Sequence, residues 1–234
     1  MLSLTKKLML LTGLLLLCTV VYEVPSLSAA EKKHLVVIDP AHGGQESGVK
    51  VTDKAEEKDV TLAIALALQK ELAKEGLYEV ALTRDSDKTV SCEDRRKYIS
   101  KIKPDVLLSL HINAGFGKNA EGFEIYYPGF SNMPDQKKLV KDGTKDAKNK
   151  YLNDSVRFAQ IIQKNLDVLF PRKGRGLREA DTPLLEGMSV PGVVVEIGFA
   201  TNPEERKKLL TASSQSEIAK ALAKSIKLFF QVTS

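Results

Sequence analysis

Three short apolar runs stand out along the chain, each closed by a polar or turn-forming residue. Residues 35–38 run into Asp39-Pro40, residues 106–110 are apolar apart from Ser109, and Val193, Val194 and Val195 run into Glu196. Apolar runs of this length without alternation predict strands buried on both faces. Residues 78–83 read as a further strand, and residues 122–127, which alternate, as another. Between them lies a different period. Val60, Ile64, Ala67, Leu68 and Leu72 share one face of a helix over 57–74, stopped by Gly76. Residues 93–101 predict a short helix ended by Pro104. Longer amphipathic patterns follow over 152–169, 203–210 and 216–230. Buried strands alternating with helices predict an α/β sandwich with helices on both faces of the sheet. Residues 128–150 carry six lysines and almost no apolar periodicity, so they read as an exposed loop.

The first 30 residues have a pattern of their own. Lys6 and Lys7 precede an apolar, Leu-rich stretch over 8–21, and Pro25 then leads into the small residues Ser26, Ser28, Ala29 and Ala30. Positive, apolar and small-residue zones in that order predict a secretory signal peptide, cleaved before Glu31. The apolar stretch is short beside the ~20 residues that a membrane span needs. Residues 31–234 are then one exported domain, placed in the periplasm, cell envelope or extracellular space. The formal net charge of +5 falls by one when the leader is removed. Such a mild excess suits an anionic surface and is not a nucleic-acid footprint. Only Cys92 lies outside the leader. The domain therefore relies on packing, and any metal must be held by histidine and carboxylate.

Two histidines follow apolar strands directly, His42 after residues 35–41 and His111 after residues 106–110. Ligand sites in open α/β sheets form outside the carboxyl ends of strands, so the two can converge. Gly43 and Gly44 beside His42 permit close backbone approach. Glu57 precedes Val60 by three residues and Ile64 by seven, which places it on their inward face in the first helical turn. Glu56 is as suitable a ligand on chemistry alone. Glu196 ends a buried strand, where a carboxylate is costly unless it is paired or functional. Arg84 and Arg95 are candidate partners for it. His34, beside Lys32 and Lys33, reads as a solvated side chain. Two histidines, one carboxylate and an open fourth position form a catalytic zinc arrangement, and a further carboxylate can carry the proton.

Six blocks then fall in the order seen in a known family. They are Val37-Ile38-Asp39-Pro40-Ala41-His42-Gly43-Gly44, Glu57-Lys58-Asp59-Val60-Thr61-Leu62, Leu82-Thr83-Arg84-Asp85-Ser86-Asp87, Ser109-Leu110-His111-Ile112-Asn113-Ala114, Gly122-Phe123-Glu124-Ile125-Tyr126-Tyr127, and the stretch from Val195 through Glu196 to Pro203. Over nearly the whole of residues 31–234 the chain resembles the zinc-dependent N-acetylmuramoyl-L-alanine amidases of cell separation and sporulation. The resemblance implies a six-stranded sheet flanked by helices and hydrolysis of the bond between muramic acid and L-alanine in peptidoglycan. It implies that His42, Glu57 and His111 bind Zn²⁺, choosing Glu57 over Glu56 because the ligand directly precedes a lysine. It implies that Glu196 is the catalytic glutamate, with Arg95 and Asn113 in support. Peptidoglycan is then the substrate, the need for a protein activator stays open, and the monomer is the default. Two departures stand out. Ala41 takes the place of a glycine, and Ile99-Ser100 replaces Ala-Asn. Some relatives carry a blocking helix in the region matching 128–150. This polar, lysine-rich stretch predicts little self-inhibition.

Overall fold

The structure is a computed structural model and describes residues 32–129, 144–171 and 173–233. The leader, and most of the lysine-rich stretch with its expected lack of self-inhibition, lie outside these residues. In chain order the elements are β1 (His34–Pro40), β2 (Lys50–Thr52), β3 (Ala55–Glu56), α1 (Glu57–Ala73), β4 (Tyr78–Leu82), α2 (Cys92–Ile102), β5 (Val106–Asn113), β6 (Phe123–Tyr127), α3 (Thr144–Leu169), β7 (Gly174–Glu179), β8 (Gly192–Phe199), α4 (Pro203–Leu209) and α5 (Ala212–Thr233). Six strands make one sheet in the order β4-β1-β5-β8-β6-β7, and β2 and β3 make a separate two-stranded ribbon. Every pairing in the large sheet is parallel except β6 with β8. The sheet is therefore mixed and mostly parallel, and its six strands are those that the family resemblance implies.

The apolar runs become strands because both sheet faces are covered. Val36, Ile38, Leu108, Leu110, Val195 and Ile197 point one way, into a core shared with Ile64 and Leu68 of α1, Phe158 and Ile162 of α3, and Leu222 and Ile226 of α5. Val37, Leu107 and Val194 point the other way, onto Ile99 of α2 and onto Leu184, Leu185 and Val190 of the segment before β8. Local signals set the helix ends. The Ser91 hydroxyl accepts from the Asp94 N–H at the start of α2, and Lys103 closes that helix in the left-handed region, just before Pro104. Asn202 caps α4 by accepting from the N–H groups of Glu204 and Glu205, with Pro203 at the first helical position. No helix among the described residues is long and apolar enough to cross a membrane.

Three features depart from the sequence expectation. The helix expected from residue 152 begins at Thr144, so part of the supposed loop is helical. A polar, lysine-rich stretch can extend a helix without adding any apolar period. β7 has the sequence Gly-Arg-Gly-Leu-Arg-Glu and pairs only with β6, at the sheet edge. An edge strand needs no apolar run, so its sequence gave no strand signal. His34 is not simply solvated. It opens β1, and its ring stacks on Phe230 with centroids 3.9 Å apart and planes 15° apart.

Candidate metal centre and its flanking carboxylate

The site forms where β1, β5 and β8 end. After Pro40 the chain stays beside β5, because the Ala41 N–H donates to the Leu110 carbonyl at 3.1 Å. His42 then takes φ 60°, which non-glycine residues rarely adopt. Arg95 holds that turn from α2. Its Nη2 donates to the His42 carbonyl at 2.5 Å, and its Nη1 donates to the Pro40 carbonyl at 2.8 Å and to Asp39 Oδ1 at 2.7 Å. Ala41 is outside the left-handed region, so a methyl group is accommodated there and the departure from the family's glycine carries no strain.

Glu57 opens α1 and is only 2% exposed. Its Oε2 accepts from the Val49 N–H at 2.8 Å and its Oε1 from the Ile112 N–H at 3.0 Å. That same Oε1 lies 3.2 Å from His42 Nε2 and 3.1 Å from His111 Nδ1. The two imidazole rings meet edge to face, with centroids 5.4 Å apart. One donor atom from each of His42, Glu57 and His111 lies within 4.8 Å of the other two. Burial alone would raise the Glu57 carboxyl, but the hydrogen bonds from His111 and His42 and the Val49 amide outweigh it and hold it at about 2. Glu56, open on chemistry alone, faces away, with its carboxylate 3.6 Å from Lys58 Nζ and 38% exposed. Gly48 closes the back of the cluster at φ 69°. A Cβ there would sit 2.5 Å from Glu57 Oε2 and 2.6 Å from His42 Cδ2. Sequence reasoning passed over this glycine, because only the folded loop shows what it faces.

Glu196 stands opposite His111 in the β5–β8 ladder. Its Oε2 is buried and has no hydrogen-bond partner among the described residues. Neither arginine considered for it from the sequence is its partner. Arg95 pairs with Asp39, while the Arg84 guanidinium donates to the carbonyls of Pro40, Ala41 and Lys58. Burial raises the Glu196 carboxyl to about 7. The charges of Glu57 and Glu124 add to that, and the two histidines oppose it. Asn113 is turned away from the histidines. Its Nδ2 donates to Glu124 Oε2 at 3.2 Å and its Oδ1 accepts from the Gly115 N–H. A cleft of about 420 Å³ opens over His42, His111 and Glu196, with Tyr126, Leu184 and Val194 along its sides.

Two imidazole nitrogens and one carboxylate oxygen form a donor set that fits a divalent metal. The amides of Val49 and Ile112 fix the carboxylate much as the outer shell of a metal site does. Sheet and cluster together define the class, an α/β enzyme domain whose chemistry sits at the carboxyl ends of β1, β5 and β8. Comparison with known proteins adds the family. Residues 36–228 match the Amidase_3 family, described as N-acetylmuramoyl-L-alanine amidase, and the chain belongs to it. It is 25% identical over 229 residues to N-acetylmuramoyl-L-alanine amidase AmiC of Escherichia coli O6:H1, covering 88% of this chain and 55% of AmiC. The chain thus spans about half the length of AmiC. The crystal structure of N-acetylmuramoyl-L-alanine amidase from Clostridium difficile 630 superposes with a TM-score of 0.72 at 28% identity, covering 87% of this chain and 100% of that one. The CwlD amidase from Clostridioides difficile, solved in complex with the GerS lipoprotein, gives 0.71 at 25% identity, covering 86% of this chain and 100% of that one.

Proposed function

We propose that this protein is a zinc-dependent N-acetylmuramoyl-L-alanine amidase that hydrolyses the amide between muramic acid and L-alanine in peptidoglycan. Residues 1–30 act as its export signal, residues 31–234 are the catalytic domain, and the cell envelope is its place of work. His42, Glu57 and His111 hold the zinc, Glu196 is the catalytic residue, and Arg95 and Asn113 support the site. The observation that carries this reading is the lone buried oxygen of Glu196, in register with His111.

Bound zinc would supply a lowered water pKa and polarisation of the substrate carbonyl. The protein supplies the rest. Glu57 is held ionised by its hydrogen bonds, so it meets a cation without first losing a proton. Arg95 fixes the carbonyls on either side of the turn and so aims the His42 ring. Glu196 takes a proton from the water that attacks the amide carbon. As the C–N bond breaks it gives that proton to the alanine nitrogen, leaving a carboxylic acid on the sugar and a free amine on the peptide. A carboxyl with a buried, unpaired oxygen beside the two histidines is placed to do both. The family and the AmiC and CwlD likenesses support peptidoglycan as the substrate, and the CwlD–GerS complex supports a protein partner. The test is mass spectrometry of peptidoglycan digested by the zinc-loaded protein, with Glu196→Gln alongside. Free peptides beginning with L-alanine and glycans with intact muramic acid are expected. Cleavage confined to the peptide would make the protein a peptidase instead.

A further inference from the structure

Glu124 lies across the β6–β8 ladder from Glu196, and Glu196 lies across from His111, so three reactive side chains occupy one row over three adjacent strands. Glu124 is 6% exposed and fully engaged. Its Oε2 accepts from Tyr126 Oη at 2.6 Å and from Asn113 Nδ2, and its Oε1 faces Arg175 Nε at 3.0 Å and Arg178 Nη2 at 3.4 Å. These four contacts occupy both carboxylate oxygens of Glu124. Two arginines around one acid leave one positive charge in excess.

The two arginines are not equivalent. Arg175 is committed twice, to Glu124 and over the Phe199 ring at 5.0 Å. Arg178 makes one long contact, its side chain is 51% exposed, and its other N–H groups have no partner among the described residues. In the β6–β7 ladder it stands opposite Tyr126, whose ring lines the cleft, and Ala180 two residues on lines the cleft as well. β7 lies two strand spacings of ~4.8 Å each from β8, and the Arg178 guanidinium reaches back to Glu124, the residue opposite Glu196.

We propose that Arg178, oriented by Glu124, is a carboxylate-binding subsite that reads an acidic group on the peptide side of the substrate. The inference rests on the amidase reading of the same cleft. The sugar side of that bond offers hydroxyl and acetamido groups, and only the peptide side offers carboxylates. A carboxylate on the residue after alanine lies ~7 Å from the scissile nitrogen, two residue steps, so it extends from Glu196 toward the neighbouring Glu124–Arg178 pair. An exposed guanidinium with free donors in a fork binds a carboxylate through two hydrogen bonds, which a lysine or an amide cannot reproduce.

The test is calorimetric titration of the zinc-loaded protein with the dipeptide alanyl-glutamate bearing a free α-carboxylate and a γ-carboxamide, and with the same dipeptide amidated at both carboxyls. The wild type is expected to bind the acid about 10-fold more tightly than the amide. Arg178→Gln should bind the two equally, and Arg178→Lys should recover only part of the preference. In turnover of muramoyl peptides carrying the same pair of groups, the discrimination should appear in KM. Equal binding of both dipeptides by the wild type, or an unchanged preference in Arg178→Gln, overturns the subsite. Cleavage without carboxylate preference removes the subsite and keeps the amidase. Preference without any cleavage of the muramoyl–alanine bond keeps the subsite and removes the amidase.

Discussion

Two carboxylates two strands apart in the sheet are treated in opposite ways. Asp39, near the end of β1, is 2% exposed and fully satisfied. Its Oδ1 accepts from Thr83 Oγ1 at 2.5 Å and from Arg95 Nη1 at 2.7 Å, and its Oδ2 from Ser109 Oγ at 2.7 Å. Burial pushes its carboxyl up, but Arg95 and the two hydroxyls more than cancel this and hold it below the usual range. Glu196, near the end of β8, has an oxygen with no partner and a carboxyl raised to about 7. The first arrangement is what a buried charge needs to be stable. The second is costly for folding and useful for moving protons. The contrast supports a structural role for Asp39 and the proposed proton transfer for Glu196 without reference to any relative.

The largest expected effect follows from that assignment. Glu196→Gln should lower turnover about a thousandfold, within the range for loss of a general acid–base, while zinc content stays at the wild-type level. Peptide release and atomic absorption measure the two. Turnover near wild type would leave the orphan oxygen without a function. Next in size is the opposite residue. Asp39→Asn keeps the shape but leaves Arg95, 5% exposed, without its counter-charge. It should cost about 3 kcal/mol in urea unfolding. A variant as stable as wild type would mean that the network does not hold the β1 turn.

Much of this contrast was legible in the sequence, for a physical reason. His42, His111 and Glu196 each follow an apolar run, and strand ends in an α/β sheet converge on one side whatever the loops do. Helical phase placed Glu57 inward, although chemistry alone did not separate it from Glu56. What the sequence could not supply depends on register between distant strands. Glu124 is visible as an acid inside an alternating segment, but its place across from Glu196 exists only once β6 pairs antiparallel with β8. Arg178 sits on an edge strand that has almost no apolar content. Whether Glu196 had an arginine partner was equally a matter of tertiary packing, and both arginines are occupied elsewhere.

Gly48 gives the third prediction. A methyl group in Gly48→Ala would press on Glu57 Oε2 and His42 Cδ2 at a backbone angle that side chains avoid. Zinc affinity should fall roughly 10- to 100-fold, the range seen when outer-shell support is lost. Competition with a fluorescent chelator measures it. Unchanged affinity would mean that the loop moves aside and the glycine is there for the turn alone.

The smallest effect concerns stability and has opposite signs for the two carboxylates. In chelator-treated protein, the folded Glu196 carboxyl stays protonated up to about 7, while its unfolded counterpart ionises near 4.5. Between those values the unfolded state releases a proton that the folded state keeps. The wild type therefore loses stability as pH rises through that window, and the loss is complete above it. Glu196→Gln carries no such proton. It should unfold with the wild type below about pH 4.5 and be more stable above pH 7, by on the order of 2 kcal/mol. Asp39 runs the other way. Its folded carboxyl is held below its ordinary value, so its contribution is present above that value and is lost as pH falls. Urea titrations of the wild type and Glu196→Gln at pH 4.5 and pH 8 separate the two terms. A gap that fails to widen toward pH 8 would show that Glu196 finds a hydrogen-bond partner in solution. The line drawn between a structural and a chemical carboxylate would then rest on turnover alone.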